Sequence, residues 1–336
     1  MRFLLVLCIA FTTVTQGQRI AFSGIDFAKA DSLAKHYHGA SLTNLPHLTH
    51  NLTEGLDTEV EKFRAIYRWV CTNIENDYAA YQRTKKKRKK IKKDQASFLL
   101  WNKGYTPKMF QTLMKHKKTA CTGYAYLIKE MANLAGLDCE IINGFGKVLN
   151  ANLGAESEPN HSWNAVRLAN TWYLCDATWS AGTFVINEGV PSFKKEYVDG
   201  YFLTEPRYFA KNHYPLDTKW LLMPNPLGFE DFLAGPLLYK DAFEMKVFPE
   251  EPQKMHVRVQ KGRSFVVKFN GQVNLEKALV LFMVYDGNQT TAVVPELQKK
   301  DTVYFLREPL NRRGTYDIHL NINGKPIATY VVKVTK

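Results

Sequence analysis

Between residues 119 and 176 the apolar period changes from that of a helix to that of a strand pair, and this change restricts the fold more than any other part of the chain. In the stretch Thr119 to Gly136, the residues Tyr124, Leu127, Ile128, Met131, Leu134 and Ala135 recur at steps of three and four, which predicts an amphipathic helix stopped at Gly136. Cys121 falls in its first turn. Further on, His161-Ser-Trp-Asn-Ala-Val-Arg-Leu168 and Thr171-Trp-Tyr-Leu-Cys-Asp176 are rich in β-branched and aromatic residues. Ala169-Asn170 between them suits a tight turn, so the pair predicts a β-hairpin.

The hairpin register decides whether three reactive residue types meet. A two-residue loop sets Leu168 opposite Thr171 and Trp163 opposite Asp176, and places His161 diagonal to Asp176 on the same sheet face. A four-residue loop gives the same pairing. A three-residue loop without a bulge puts the two side chains on opposite faces. Singly, Cys121, His161 and Asp176 each have a structural reading, as a buried thiol, a hydrogen-bonded strand residue and a turn former. Together they match the needs of acyl transfer. A thiolate attacks a carbonyl, an imidazole carries the proton, and a carboxylate orients the imidazole. The helix start also favours a thiolate and supplies N–H donors for an oxyanion.

Three motifs carry a family resemblance: Lys118-Thr-Ala-Cys121-Thr-Gly-Tyr-Ala-Tyr, His161-Ser-Trp-Asn-Ala-Val and Trp172-Tyr-Leu-Cys-Asp176-Ala-Thr-Trp179. With the lead-in helix Lys62 to Ile74, they make the chain similar to the transglutaminase-like superfamily of papain-like cysteine enzymes. The stretch Tyr201-Phe-Leu-Thr-Glu-Pro-Arg-Tyr-Phe resembles a segment of kyphoscoliosis-peptidase-like members. The likeness covers about residues 55 to 215. It implies a papain-like α+β core with Cys121, His161 and Asp176 as a catalytic triad. It leaves peptidase, cross-linking and catalytically silent members all open. Such enzymes also use a side-chain donor for the oxyanion, for which Gln111 and Trp101 are candidates.

The N-terminus predicts export. Met1-Arg2 precedes the largely apolar run Phe3 to Val14, and Thr15-Gln-Gly17 offers small residues for cleavage after Gly17. The run is too short to span a bilayer. A secreted or periplasmic location permits disulfides, yet a catalytic Cys121 must stay free, so Cys71, Cys139 and Cys175 are expected as buried thiols with at most one bridge among them. No cysteine or histidine spacing suits zinc, and neither a metal nor a cofactor is expected.

The expected domains are residues 25–215 for the papain-like core, 216–238 for a linker and 239–336 for an antiparallel, Ig-like β-sandwich. The core opens with a capping box, Thr58-x-x-Glu61. The sandwich is read from short strands at Met255–Val259, Ser264–Phe269, Ala278–Tyr285, Thr302–Leu306, Tyr316–Ile322 and Ile327–Val334, separated by turn signals. Of the net charge of +13, eight positive charges come from Lys85-Lys-Lys-Arg-Lys-Lys-Ile-Lys-Lys93, expected as a solvated loop or as an attractor of anionic material. The run lacks the aromatic interleaving of a nucleic-acid site. Asn51-Leu-Thr, Asn288-Gln-Thr and Asn160-His-Ser are sequons, and a glycan on Asn160 would crowd His161. The partner class is a protein or peptide substrate, and an envelope polymer is an additional candidate. The reading is an exported cysteine peptidase or amidase, with hydrolysis placed ahead of cross-linking. The alternative is a non-catalytic envelope scaffold that retains the fold.

Overall fold

The structure, a computed structural model, describes residue 22 and residues 24–336 apart from 92–93, 150, 152, 189, 271–273 and 288. The expected signal segment 1–17 and Asn288 lie outside the described residues. Three helices come first: α1 (Ala28–His36), α2 (Leu45–Thr53) and α3 (Glu59–Asn73). The capping box forms in both directions, with the Glu61 N–H donating to Thr58 Oγ1 at 3.3 Å and the Thr58 N–H donating to the Glu61 carboxylate at 3.0 Å. The buried Arg64 of α3 holds Asp31 of α1 through two bonds of 2.7 and 2.9 Å, and also bonds Asp199. This clamp ties the N-terminal helices to the segment behind the site.

Two short strands, β1 (Glu75–Asn76) and β2 (Lys118–Thr119), pair in parallel. Between them run α4 (Tyr78–Lys90) and α5 (Gln95–His116). The basic run therefore corrects the loop expectation, because Lys85 to Lys90 continue α4. Asp77 caps that helix through the Ala80 N–H at 2.8 Å, and Tyr78 packs on Phe184 at 5.1 Å. Lysine and arginine are good helix formers, and here they cluster toward the negative end of the dipole. Like-charge pairs cost only about 0.2–0.5 kcal/mol each on an exposed helix, so they do not unwind it.

Next comes α6 (Cys121–Leu134), and then β3 (Cys139–Gly146), β4 (His161–Leu168), β5 (Thr171–Cys175) and the short α7 (Ala177–Ala181). The hairpin β6 (Gly182–Asn187) and β7 (Val190–Lys195) follows, then α8 (Pro206–Phe209) and β8 (His213–Pro215). The central sheet runs β5-β4-β3-β8, all antiparallel. The β4–β5 loop has two residues: Leu168 faces Thr171, and Ala169 and Asn170 both take positive φ. That is the primed turn whose twist matches a hairpin. Asp176 has left the strand to cap α7, so Asn164 facing Cys175 is the last pair.

The stretch 216–238 is more structured than a linker. A 3-10 turn at Thr218–Leu221 and α9 (Phe229–Ala234) pack Leu221 and Phe232 against Phe145 and Tyr214. Then β9 (Leu237–Leu238) joins the C-terminal sheet beside its last strand. After α10 (Lys240–Glu244), the strands are β10 (Pro249–Glu251), β11 (His256–Gln260), β12 (Ser264–Asn270), β13 (Val280–Tyr285), β14 (Thr290–Val293), β15 (Glu296–Lys300), β16 (Val303–Pro309), β17 (Gly314–Ile322) and β18 (Lys325–Thr335). One sheet is β10-β12-β16-β15, and the other is β11-β18-β17-β13-β14 with β9 on β18. The sandwich is not wholly antiparallel: β11 runs parallel to β18. These are strands from the two ends of the region, so no hairpin constrains their direction. One apolar cluster joins Ile142, Trp163 and Phe209 to Phe243, Phe265 and Tyr330, so the sandwich and the central sheet share a core.

Gly123, in the first turn of α6, is required by close packing. A Cβ there would lie 1.9 Å from Thr119 Oγ1 on β2. Gly123→Ala is therefore expected to destabilise the fold by about 1–3 kcal/mol through overpacking, read as a lower urea midpoint with an unchanged slope.

Candidate active site

Each member of the predicted set is placed by local bonding. Among the helices around the site, α3, α4, α5 and α7 are capped by the side chains of Thr58, Asp77, Asp94 and Asp176, but α6 begins after Ala120 with no side-chain cap. The positive end of its dipole is thus left to Cys121 and whatever Cys121 holds. Alternation along β4 turns Ser162 and Asn164 to α6 and His161 and Trp163 to the other face. Asn164 Nδ2 donates to the Ala125 carbonyl at 2.9 Å and to the Glu140 carbonyl at 3.2 Å, and Ser162 Oγ lies 3.4 Å from Thr122 Oγ1. These bonds set the distance between the start of α6 and the start of β4.

His161 Nε2 lies 2.7 Å from Asp176 Oδ2, and the ring also hydrogen-bonds the Cys121 side chain. With Nε2 on the carboxylate, Nδ1 is the ring atom left for sulfur. Trp179 stacks on the imidazole with centroids 4.8 Å apart and planes at 20°. A Cβ on Gly146 would come within 2.9 Å of Trp179 and 3.1 Å of His161 Cβ, so only glycine leaves room for that stack. The sequence-predicted residues are thus brought together. Gln111, one of the two oxyanion candidates, is exposed on α5, and Trp101 stacks on Tyr105 of the same helix at 4.7 Å.

Asp176 is fully buried. Its Oδ1 accepts the Thr178 N–H at 2.8 Å and the Trp179 N–H at 3.2 Å. Its Oδ2 meets His161 and also His213 Nε2, at 3.0 Å. Burial alone would raise its pKa, but His161 and His213 hold it well below the usual carboxylate range. Burial would likewise lower His161, yet Asp176 and the Cys121 sulfur outweigh it and raise the pKa to about 10. For His213 burial wins and pushes the pKa down to about 4, against the pull of the same Asp176. One carboxylate therefore meets an imidazole whose pKa is raised and another whose pKa is lowered.

His213 was missed in the sequence. It sits in Asn212-His-Tyr-Pro215, a Pro- and aromatic-rich stretch with no period to place it, and only the pairing of Gly146 with His213 across β3 and β8 brings it to Asp176. His161, Asp176 and His213 put three metal-capable atoms within 4.8 Å of one another. Their contacts have hydrogen-bond lengths, and the shared Oδ2 is already engaged by both rings. Asn160, the sequon residue beside His161, bonds Gly146 both ways, accepting its N–H at 2.6 Å and donating to its carbonyl at 3.0 Å. Cys71, Cys139 and Cys175 are buried free thiols, and Cys121 is partly exposed. Burial raises all three, Cys139 to about 12, which makes them poor nucleophiles at neutral pH.

Residues 46–177 match the transglutaminase-like superfamily. The core of this chain is transglutaminase-like. Similar curated proteins include the human kyphoscoliosis peptidase, 30% identical over 71% of this chain and 33% of that protein. Hillarin of Drosophila melanogaster is 28% identical over 64% of this chain and 25% of its own length. Cytokinesis protein 3 of Saccharomyces cerevisiae is 34% identical over 36% of this chain and 15% of its own. The chain spans about one third of the length of the first of these relatives. Among the described residues, no helix of the transglutaminase-like core or the β region is long and apolar enough to cross a membrane.

The raised pKa of His161 links the site to stability. A histidine whose folded value lies above its unfolded value stabilises most below the unfolded value, here 6.5, and loses that contribution as pH climbs to about 10. Urea unfolding across this interval should show stability falling in the wild type. Asp176→Asn should be less stable throughout but show a flatter fall, because the carboxylate that holds the imidazolium is gone.

Proposed function

We propose that this chain is a cysteine-dependent acyl-transfer enzyme that cleaves amide bonds in protein or peptide substrates, with water as the acceptor. The observation that carries the reading is the line Cys121–His161–Asp176, in which Nε2 of His161 meets Asp176 Oδ2 at 2.7 Å while the ring also bonds Cys121. That one relative is named a peptidase agrees with it.

In the proposed cycle the Cys121 thiolate attacks the substrate carbonyl carbon and forms a C–S bond, moving the carbonyl electron pair onto oxygen. The N–H groups at the uncapped start of α6 receive that oxyanion. As the oxyanion collapses the C–N bond breaks, and the imidazolium of His161 gives its proton to the leaving amine. Water then attacks the thioester, His161 takes its proton, and the C–S bond breaks to return the thiolate. Asp176 stays ionised and keeps the ring aligned. Cross-linking needs an amine to outcompete water in a dry site. The partial exposure of Cys121 supports hydrolysis instead. Export through residues 1–17 belongs to the same proposal, and N-terminal sequencing of protein recovered outside the expressing cell tests it.

Ammonia or peptide release and incorporation of a labelled primary amine, measured side by side on a protein substrate, separate the two outcomes. The reading expects release without incorporation, and loss of release by at least about 10³-fold in Cys121→Ala, as for removal of other catalytic nucleophiles. Incorporation without release would establish a cross-linking enzyme. An unchanged cellular role for Cys121→Ala would establish a scaffold.

A further inference from the structure

We propose that His213 is a positioning residue for this site, holding the same Asp176 oxygen that His161 holds and backed by a row of side chains that ends at Tyr201. The inference rests on the reading of Cys121, His161 and Asp176 as the working set. His213 occupies the first position of β8, and its side chain is wholly buried. Nε2 lies 3.0 Å from Asp176 Oδ2, the same oxygen that His161 reaches at 2.7 Å. On its far side, Nδ1 is 2.7 Å from Asn212 Oδ1, and Asn212 Nδ2 donates to the Tyr201 hydroxyl at 3.3 Å.

The directions of these bonds follow from what each group can give. Asp176 accepts only, so Nε2 of His213 carries a hydrogen toward it. Asn212 Oδ1 faces Nδ1 and Asn212 Nδ2 donates to the Tyr201 hydroxyl, so the amide bridges the ring to Tyr201. Phe209 stacks on His213 with centroids 4.0 Å apart and planes at 18°, and Trp179 lies 4.3 Å away on another side. The ring has no freedom to leave.

A second donor suits this place. Oδ1 is already held by the N–H groups of α7, and without a second donor Oδ2 is held by His161 alone. The Asp176–His161 bond would then have to orient both partners at once. A second N–H on Oδ2 fixes the oxygen without relying on His161. The titratable groups around His213 are Asp176, His161 and Tyr201, and burial keeps the ring from taking a proton from solvent.

The test is the pH dependence of Cys121 alkylation by iodoacetamide in the full chain, followed by mass spectrometry with Cys71, Cys139 and Cys175 as internal controls. Circular dichroism checks each variant for folding. His213→Leu keeps much of the volume and removes the donor, and His213→Gln keeps an N–H. Losing a hydrogen bond to a charged group corresponds to about a ten- to hundred-fold rate effect. His213→Leu is therefore expected to alkylate about tenfold or more slowly at neutral pH with a shifted profile, and His213→Gln to stay within about threefold of wild type on the same scale. A folded leucine variant with the wild-type profile overturns the proposal, as does a folded glutamine variant as slow as His161→Ala. Should the leucine variant not fold, His213→Met is read by the same criterion and the glutamine comparison stands by itself. If His161→Ala leaves the wild-type profile unchanged, the triad reading fails first. If His161→Ala changes it and His213→Leu does not, only the role of His213 fails.

Discussion

The buried charge of Asp176 is the constraint around which the rest is arranged. An ionised carboxylate taken out of water costs several kcal/mol unless its lone pairs are engaged, and neutralising it would remove the partner of His161. The protein engages both oxygens, one with backbone N–H groups and one with imidazoles. That requirement dictates local form. The hairpin must end where β5 does so that Asp176 can cap α7, and β8 must pair with the far end of β3 so that His213 arrives. Tyr67 of α3 adds a bond of 2.9 Å to the Asp176 carbonyl and 2.7 Å to Ser180, fixing α7 from below.

The parts of the site that were legible in the sequence are those governed by local period. The α6 helix shows its apolar stripe, and the β4–β5 hairpin shows two dense strands with a two-residue turn, so Cys121, His161 and Asp176 are placed by rules that act over a few residues. In the β region the strands with buried alternation were also readable, as in β12 and β17. Of the edge strands, β11 was read but β10, β14 and β15 were not. β14 and β15 have almost no buried residues, and a strand such as Glu-Leu-Gln-Lys-Lys leaves no pattern when neither face is covered. His213 was hidden for a different reason. Its meaning lies in a pairing between β3 and β8, which are far apart in the chain, and no short-range signal encodes it.

Charge was the least informative local cue. Tyr78 to His116 holds twelve lysines and arginines and one acid, Asp94, which accounts for +11 of the net +13. Self-repulsion suggested a loop, yet the repulsion between exposed side chains is screened by salt and small beside the propensity and capping that favour a helix. The charge thus reports on the surface of α4 and α5 and says little about their backbone. It also explains why the remainder of the chain, the core and the sandwich together, is close to neutral.

The C-terminal sandwich is better regarded as a wall of the site than as an attached module. Domains that move relative to one another meet through modest, polar interfaces. Here the contact is apolar and continuous. Tyr201, which ends the row behind His213, stacks on Phe243 at 4.6 Å, and Gly200 beside it packs so closely that a Cβ would lie 2.5 Å from the Phe243 backbone. The Gly200 N–H donates to Glu244 at 3.0 Å. Trp163 and Phe209, which flank the histidines, belong to the same cluster as Phe265 and Tyr330 of the sandwich. The low dielectric that depresses His213 and strengthens the Asp176–His161 pair is therefore produced jointly by both regions. Water admitted along that seam would weaken the pair without touching Cys121, so the sandwich contributes to the electrostatics of the site even though it supplies none of its reactive groups.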